Sequence, residues 1–431
     1  MKVVLRNFRI VDETNDFFGS IFIENGVIRE VVNGNDNFSG ADIVINGEKF
    51  GASAVLMPAF IDLHAHFREP GFPEKETLES ASLAAAAGGF TTVVCMANTN
   101  PVIDTIEKAA ALKTRSDNLG LVDLYPVLSL TKNMEGLEIS GIKELSSKCK
   151  TFELPIMLSE DGKDVEDEDL FLAAMIEAKR LGIPVSCHCD LGGKESSAVS
   201  RAVELGKKAK CHIHIAHVST AESIEIIREE KINLPTGNGF NLSCEVTPHH
   251  IGVTEEDARL MGEKSFGRVN PPLSSESDRQ IIISAVKDGT IDVIATDHAP
   301  HSESDKANGA PGFSGLETAF AASITNLFPP LSPSPSVTSV SSVVKNIELC
   351  RLSALMSSNP ARIIGLNDRG RIKVGLRADI AIVDTQAEWK VKPENFKSKG
   401  KCCPFKDKVL KGKIIMTFNA GKIVFDGGLY V

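Results

Sequence analysis

Apolar and polar positions change rhythm twice along the chain. From residue 1 to about 52 the apolar runs are short: Val3-Val4-Leu5, Ser20-Ile21-Phe22-Ile23, Val27-Ile28 and Ile43-Val44-Ile45. Turn signals such as Asn25-Gly26 and Asn46-Gly47 separate them, and no helical period is evident, so they read as strands. The same texture returns from about residue 371 to 431, in Ala378–Asp384, Lys413–Phe418 and Gly421–Phe425. Neither end alone offers enough strands to bury two faces. The pattern predicts one small β-sandwich domain assembled from both termini, residues 1–52 and 371–431.

Residues 53–370 alternate two periods. Apolar runs that read as buried strands fall near Leu56–Leu63, Phe90–Met96, Leu121–Ser129, Phe152–Leu158, Ile183–Cys187, Cys211–Ala216, Leu242–Val246 and Ile291–Ala295. Asp167–Leu181, Ser219–Glu230 and Glu276–Lys287 are amphipathic at helical spacing, and the Ala-, Leu- and Glu-rich Glu76–Ala87 ends at Gly88-Gly89. Ser219 or Thr220 can cap the helix that follows it. Eight strands alternating with helices predict an α/β fold, a (β/α)8 TIM barrel, with a doubly wound open sheet as the alternative. The Pro- and Ser-rich Pro329–Ser342 reads as a surface loop.

Composition then removes function classes. A net charge of −10 argues against a nucleic-acid binder, whose affinity rests on basic surface. No apolar run reaches the length of a membrane span. Arg6 and Arg9 interrupt the apolar residues of Met1–Arg9, so no signal peptide is expected there. Nine cysteines without a CxxC pair read as reduced, mostly buried thiols of a cytoplasmic protein. All ten histidines lie between His64 and His301, so whatever chemistry they do belongs to the predicted barrel.

The candidate chemistry starts at Pro58–Gly71. His64 and His66 alternate at the end of an apolar strand and project from one face, which suits a divalent metal, zinc first. Arg68 continues that parity if the chain stays extended, and a guanidinium there suits a planar carboxylate. Asp161 follows the fourth predicted strand, His188 ends the fifth, His217 the sixth and Asp297 the eighth. Every one sits at the C-terminal end of a strand, the face where barrels of this kind build their sites. Four imidazoles and two carboxylates are too many for one metal; they suit two, with Asp161 as the bridge and Glu160 as its rival. His212 and His214 are opposite in parity to His217 and read as packed or hydrogen-bonded. His249 and His250 read as supporting residues, and Cys187 and Cys189 as buried thiols.

Together these stretches resemble the class I dihydroorotases of the amidohydrolase superfamily. The resemblance is carried by Asp62–Gly71, Ala87–Thr92, Met96–Pro101, Glu245–His250, Asn270–Leu273, Ala295–His301 and Gly315–Phe320. It implies reversible, zinc-dependent ring closure of N-carbamoyl-L-aspartate to L-dihydroorotate in pyrimidine biosynthesis, with release of water. It implies two zinc ions per chain: one on His64, His66, Asp161 and Asp297, the other on Asp161, His188 and His217. Asp297 would also shuttle the proton. Arg68, Asn98 and His301 would hold the substrate carboxylate, and Asn270 with the backbone at Pro311 and Gly312 would contact the ring. The Gly-rich His301–Gly315 could close over the site as a lid.

Two departures stand out. The family usually has two Asp before Gly162, and here the pair is Glu160-Asp161; Ala97 stands where Pro is common. Relatives acting on neutral rings, the dihydropyrimidinases, hydantoinases and allantoinases, bridge their metals with a carboxylated lysine, a role open here only to Lys163. They also have no need of Arg68. A non-catalytic barrel serving aspartate transcarbamoylase would have lost metal ligands that this chain keeps. A small-molecule substrate, no nucleic acid and no membrane are expected, with a homodimer and an association with aspartate transcarbamoylase left open.

Overall fold

The computed structural model describes residues 1–146, 156–234, 237, 239–262, 266–328 and 348–428. The loop expected at Pro329–Ser342 lies outside the described residues. The N-terminal region forms β1 (Lys2–Val11), β2 (Asp16–Glu24), β3 (Val27–Asn33), β4 (Ile43–Asn46) and β5 (Ala54–Pro58). Next come β6 (Phe60–Ala65), β7 (Phe90–Cys95), β8 (Asp123–Pro126), β9 (Leu158–Ser159), β10 (Val185–Cys187), β11 (His212–Ile215), β12 (Asn241–Val246) and β13 (Val293–Ile294). The C-terminal region adds β14 (Ile380–Lys390), β15 (Val409–Asn419) and β16 (Lys422–Asp426).

Strands β6 to β13 make an eight-stranded parallel barrel. Sheets β6-β7-β8 and β9 to β13 are joined by parallel bridges at Leu128–Leu158 and Ala65–His298. Parallel strands are covered on both faces, and every residue of β6 and β7 is buried accordingly. Helices pack outside. Thr77, Thr105, Asp167, Thr220 and Ser275 cap the helices Leu78–Ala87, Ile106–Leu119, Glu168–Leu181, Ala221–Ile232 and Glu276–Asp288. Of the two caps open at residues 219–220, Thr220 is used. Glu76, placed in a helix by its sequence, instead lies just before one, buried against His298 and Ser398.

The terminal strands form one curled sheet in the order β16-β15-β14-β5-β1-β2-β3, with β4 on β1. Strand β1 serves both layers of this sandwich. Its first half pairs with β4 and its second with β5, and a bulge between Leu5 and Phe8 turns it from one to the other. The core between the layers is apolar, built from Leu5, Ile21, Leu56, Ile380 and Phe418 among others.

One strand reading needs correction. The apolar run Leu56–Leu63 is two strands, not one. Strand β5 lies antiparallel to β14 in the sandwich, and β6 begins the barrel. Only Ala59 separates them, its amide donating to Asp379 O at 3.0 Å. The fourth strand, expected over Phe152–Leu158, is described as Leu158–Ser159, and residues 147–155 lie outside the described part.

Candidate metal centre

Five strand ends, those of β6, β9, β10, β11 and β13, deliver the six candidate ligands to one rim, where all six side chains are buried. Asp161 is the hub. Its Oδ1 lies 3.0 Å from His64 Nε2, 3.5 Å from His188 Nδ1 and 3.9 Å from His217 Nε2, and its Oδ2 lies 3.4 Å from His66 Nε2. Asp297 Oδ1 sits 3.1 Å from His66 Nε2 and 3.6 Å from His64 Nε2. Two groups converge: His64, His66 and Asp161, and Asp161, His188 and His217, each with donor atoms within 4.8 Å of one another.

The donor set fits divalent cations. Ligand atoms about 2 Å from a tetrahedral zinc lie roughly 3.3 Å apart, close to the separations around Asp161. His64 Nε2 is buried without a hydrogen-bond partner. His188 Nδ1 and His217 Nε2 face each other at 2.8 Å, so two lone pairs are aimed at one place unless a proton lies between them. Burial would raise the Asp161 and Asp297 carboxyls, but the surrounding imidazoles outweigh it and hold both well below the usual range. Burial, then the neighbouring His188, pushes His217 down to about 3, leaving it neutral at physiological pH.

The backbone is strained where it aims these groups. His217 has φ 31°, Asp297 44° and Arg68 59°, in the left-handed region that costs a non-glycine residue about 1–3 kcal/mol. Next to Asp297, Thr296 is tied down: its N–H donates to Asp62 Oδ1 at 2.9 Å and its hydroxyl to Asp62 Oδ2 at 2.5 Å.

A buried chain supports His64 from below. His64 Nδ1 contacts Glu245 Oε1 at 2.8 Å, and Glu245 Oε2 contacts His214 Nε2 at 3.0 Å. His214 Nδ1 meets Ser243 Oγ at 2.8 Å, which meets His212 Nε2 at 2.9 Å. Burial opposes ionisation of Glu245, yet His64 and His214 outweigh it and pull its carboxyl to about 2. A carboxylate accepting from Nδ1–H presents Nε2 of His64 to a metal and raises its basicity. Sequence reading assigned Glu245 no role. The signal was there: Ser243 and Glu245 alternate on β12 opposite His212 and His214 on β11, and the register pairs His214 with Ser243.

The expected substrate residues surround this centre. Arg68 Nη2 lies 3.2 Å from His301 Nε2, and Arg68 Nε donates to Pro300 O at 3.2 Å. The chain does not stay extended to Arg68, so strand parity is not what brings it to the rim. His301 Nε2 also reaches Pro311 O at 2.9 Å. Asn98 contacts His66 Nδ1 through Oδ1 at 2.9 Å and donates to Asp161 Oδ2 at 3.2 Å. Asn270 Nδ2 lies 3.2 Å from both His188 Nε2 and Asp190 Oδ2. The rim opens through a cavity of about 830 Å³ lined by His188, Gly162 and Lys163, beside a second of about 460 Å³ lined by Asn270 and Pro311.

The rival residues are occupied elsewhere. Glu160 accepts from Leu130 N at 2.9 Å, Thr131 N at 3.1 Å and the Thr131 hydroxyl, facing away from the imidazoles. Lys163 Nζ donates to Met134 O at 2.8 Å. His250 is held by Thr247 and Pro271. His249 lies edge-on to Phe313, its ring centre 5.4 Å away. Cys187 and Cys189 are buried free thiols, pushed up by burial.

Known proteins match this chain along nearly its whole length. The dihydroorotase of Clostridium botulinum is 37% identical over 99% of this chain and 100% of its own. That of Aquifex aeolicus is 35% identical over 99% of each. Among solved structures, an L-hydantoinase (dihydropyrimidinase) from Arthrobacter aurescens superposes with a TM-score of 0.83 at 23% identity, covering 99% of this chain and 96% of that one. At that identity it speaks for the fold alone. The model of the amidohydrolase family matches residues 55–424, and with the full-length relatives it shows that this chain belongs to the amidohydrolase family, on its dihydroorotase branch.

Proposed function

We propose that the chain catalyses reversible ring closure of N-carbamoyl-L-aspartate to L-dihydroorotate, with release of water, as a cytoplasmic zinc enzyme of de novo pyrimidine (UMP) biosynthesis. The observation that carries this is one carboxylate, Asp161, common to two convergent His/Asp groups, with the Arg68–His301 pair on the same rim. Two zinc ions, one on His64, His66, Asp161 and Asp297 and one on Asp161, His188 and His217, would polarise the amide carbonyl and make hydroxide available near neutral pH.

The remaining work falls to side chains. In the hydrolytic direction Asp297, ionised among its imidazoles, takes the proton released as the new C–O bond forms. It then delivers that proton to the departing ring nitrogen. Arg68 grips the substrate carboxylate through its planar fork, with His301 and Asn98 beside it. Asn270 and the main chain at Pro311–Gly312 orient the ring.

Zinc content and turnover of dihydroorotate and dihydrouracil by the purified chain test this reading. About two zinc ions per chain and a clear preference for dihydroorotate are expected, and His188→Ala should lose one zinc and most activity. Equal turnover of both rings would overturn the substrate assignment. Light scattering and co-purification with aspartate transcarbamoylase decide whether the chain works as a homodimer or in a complex.

A further inference from the structure

Lys306 is the most unusual charged group outside the metal cluster. Its side chain is fully buried, at 0% exposure, which a lysine rarely tolerates without a carboxylate. Among the described residues its ammonium has no such partner. It donates instead to two main-chain carbonyls, Arg268 O at 2.8 Å and Gly312 O at 3.0 Å, and lies 5.2 Å from the centre of the Phe313 ring. Gly312 N donates to the same Arg268 O at 3.0 Å. Three donors on one nitrogen can satisfy two carbonyls and still face a π surface; no neutral side chain of that length can.

The two clipped segments are the ones that flank the candidate ring site. Two residues beyond Arg268 is Asn270, which touches His188. One residue before Gly312 is Pro311, whose carbonyl touches His301. Gly312 itself has φ 136°, and a Cβ there would lie 2.6 Å from Ala299 O, so its main chain is seated hard against the strand-end loop. Phe313 O accepts from Ala299 N at 2.8 Å. The stretch His301–Gly315, read from sequence as a lid, is thus pinned to the rim through its own lysine.

We propose that Lys306 is a positioning residue: by binding the Arg268 and Gly312 carbonyls together, it fixes the spacing between the Asn270 edge and the Pro311–Gly312 edge that hold the substrate ring. This rests on the functional reading above. Removing the ammonium strands the buried Gly312 carbonyl and leaves the Gly312 N–Arg268 O hydrogen bond to hold the two edges, so their spacing loosens. That loosens a contact made equally in ground and transition states, so it acts on KM rather than kcat.

The test compares Lys306→Met and Lys306→Gln with wild type by steady-state kinetics on dihydroorotate, zinc content, and hydrogen exchange of peptides spanning residues 308–315. Lys306→Met should raise KM by about tenfold or more, with kcat within about threefold and zinc unchanged. Exchange should quicken in 308–315 and not in the barrel strands. Lys306→Gln, which is shorter and uncharged but keeps two N–H donors, should fall between, and it carries the comparison if the methionine variant is insoluble. An unchanged KM overturns the inference, as does a KM rise accompanied by lost zinc or barrel-wide exchange, which marks a merely structural residue. If wild type itself fails to turn over dihydroorotate, the functional reading fails, and the exchange data still decide whether Lys306 is the clip.

Discussion

Two charged clusters sit at opposite ends of the barrel strands, and they are finished differently. At the junction with the sandwich, Arg369 donates to Asp123 Oδ2 at 2.6 Å and to Asp368 Oδ1 at 2.9 Å. Arg377 donates to Asp379 Oδ1 at 2.8 Å and to Asp123 Oδ1 at 3.1 Å. Each carboxylate there has a permanent cation in the chain itself. On the rim, the only cationic partners touching Asp161 and Asp297 among the described residues are imidazoles, with Asn98 donating to Asp161, and His64 Nε2 is left without a hydrogen-bond partner. The junction balances its charges within the chain and acts as glue, although Asp379 Oδ2 makes no hydrogen bond and only faces Arg369 Nη1 at 3.6 Å. The rim is an arrangement whose charge balance a bound cation improves.

The sharpest way to break this contrast is Asp161→Asn. An amide cannot bridge two cations, so kcat should fall by at least about a thousandfold, roughly 4 kcal/mol, with loss of metal. Glu160→Gln should leave zinc content unchanged, and the reverse ranking would move the bridge to Glu160. Next comes Arg369→Met, which removes a buried cation and one of the two guanidinium partners of the half-buried Asp123, leaving Arg377. It should cost about 1–3 kcal/mol in denaturant unfolding while zinc per folded chain stays constant. A loss of zinc equal to that of Asp161→Asn would erase the distinction between the two ends.

Arg68→Met should cost about 2–5 kcal/mol of transition-state binding, a drop in kcat/KM of roughly 30-fold or more, with zinc unchanged. Lysine at that position should rescue only in part, and a variant that keeps full preference for dihydroorotate over dihydrouracil would remove Arg68 from substrate recognition. The smallest effect concerns Glu317, a half-buried carboxyl that makes no ion pair among the described residues, although Lys397 and Lys401 lie near enough to oppose its shift. Burial pushes Glu317 up to about 7, against amide donation from Lys397 and Ser398. Between about pH 4.5 and 7 the folded state therefore holds a proton that the unfolded state has lost. Stability contributed by this group falls as pH rises through that window. The difference in melting temperature between wild type and Glu317→Gln should shift monotonically from pH 4.5 to 7.5; a flat difference would show Glu317 ionised throughout.

Much of this was visible in the sequence because parallel strands are buried on both faces. Apolar runs marked most of the barrel strands, and a polar residue just past such a run marked each candidate ligand. What escaped had physical reasons. The junction at Ala59 carries no Gly, Asn or Asp, and Pro58 sits within the apolar run as the last residue of β5, so β5 and β6 read as one strand although they belong to different sheets. Glu245 lies inside an apolar run, where one acid looks like an exception until the strand register places it between His64 and His214. Arg68 was expected to reach the rim by strand parity. The chain instead turns there, with Glu69 N donating to Phe67 O at 2.7 Å and Phe72 N to Arg68 O at 3.0 Å. A one-residue pattern cannot encode a turn that depends on such local closures.

The joint at Ala59 has a consequence for a chain made from one end. Strand β5 emerges from the ribosome immediately ahead of β6, the strand that carries His64. Its antiparallel neighbour β14 emerges only after all eight barrel strands. A nascent chain can therefore contain every candidate metal ligand while the strand leading into the first of them still has an open edge. The last partner of the strand leading into the candidate ligands is also made last, so synthesis delivers all of those ligands before the sandwich can close.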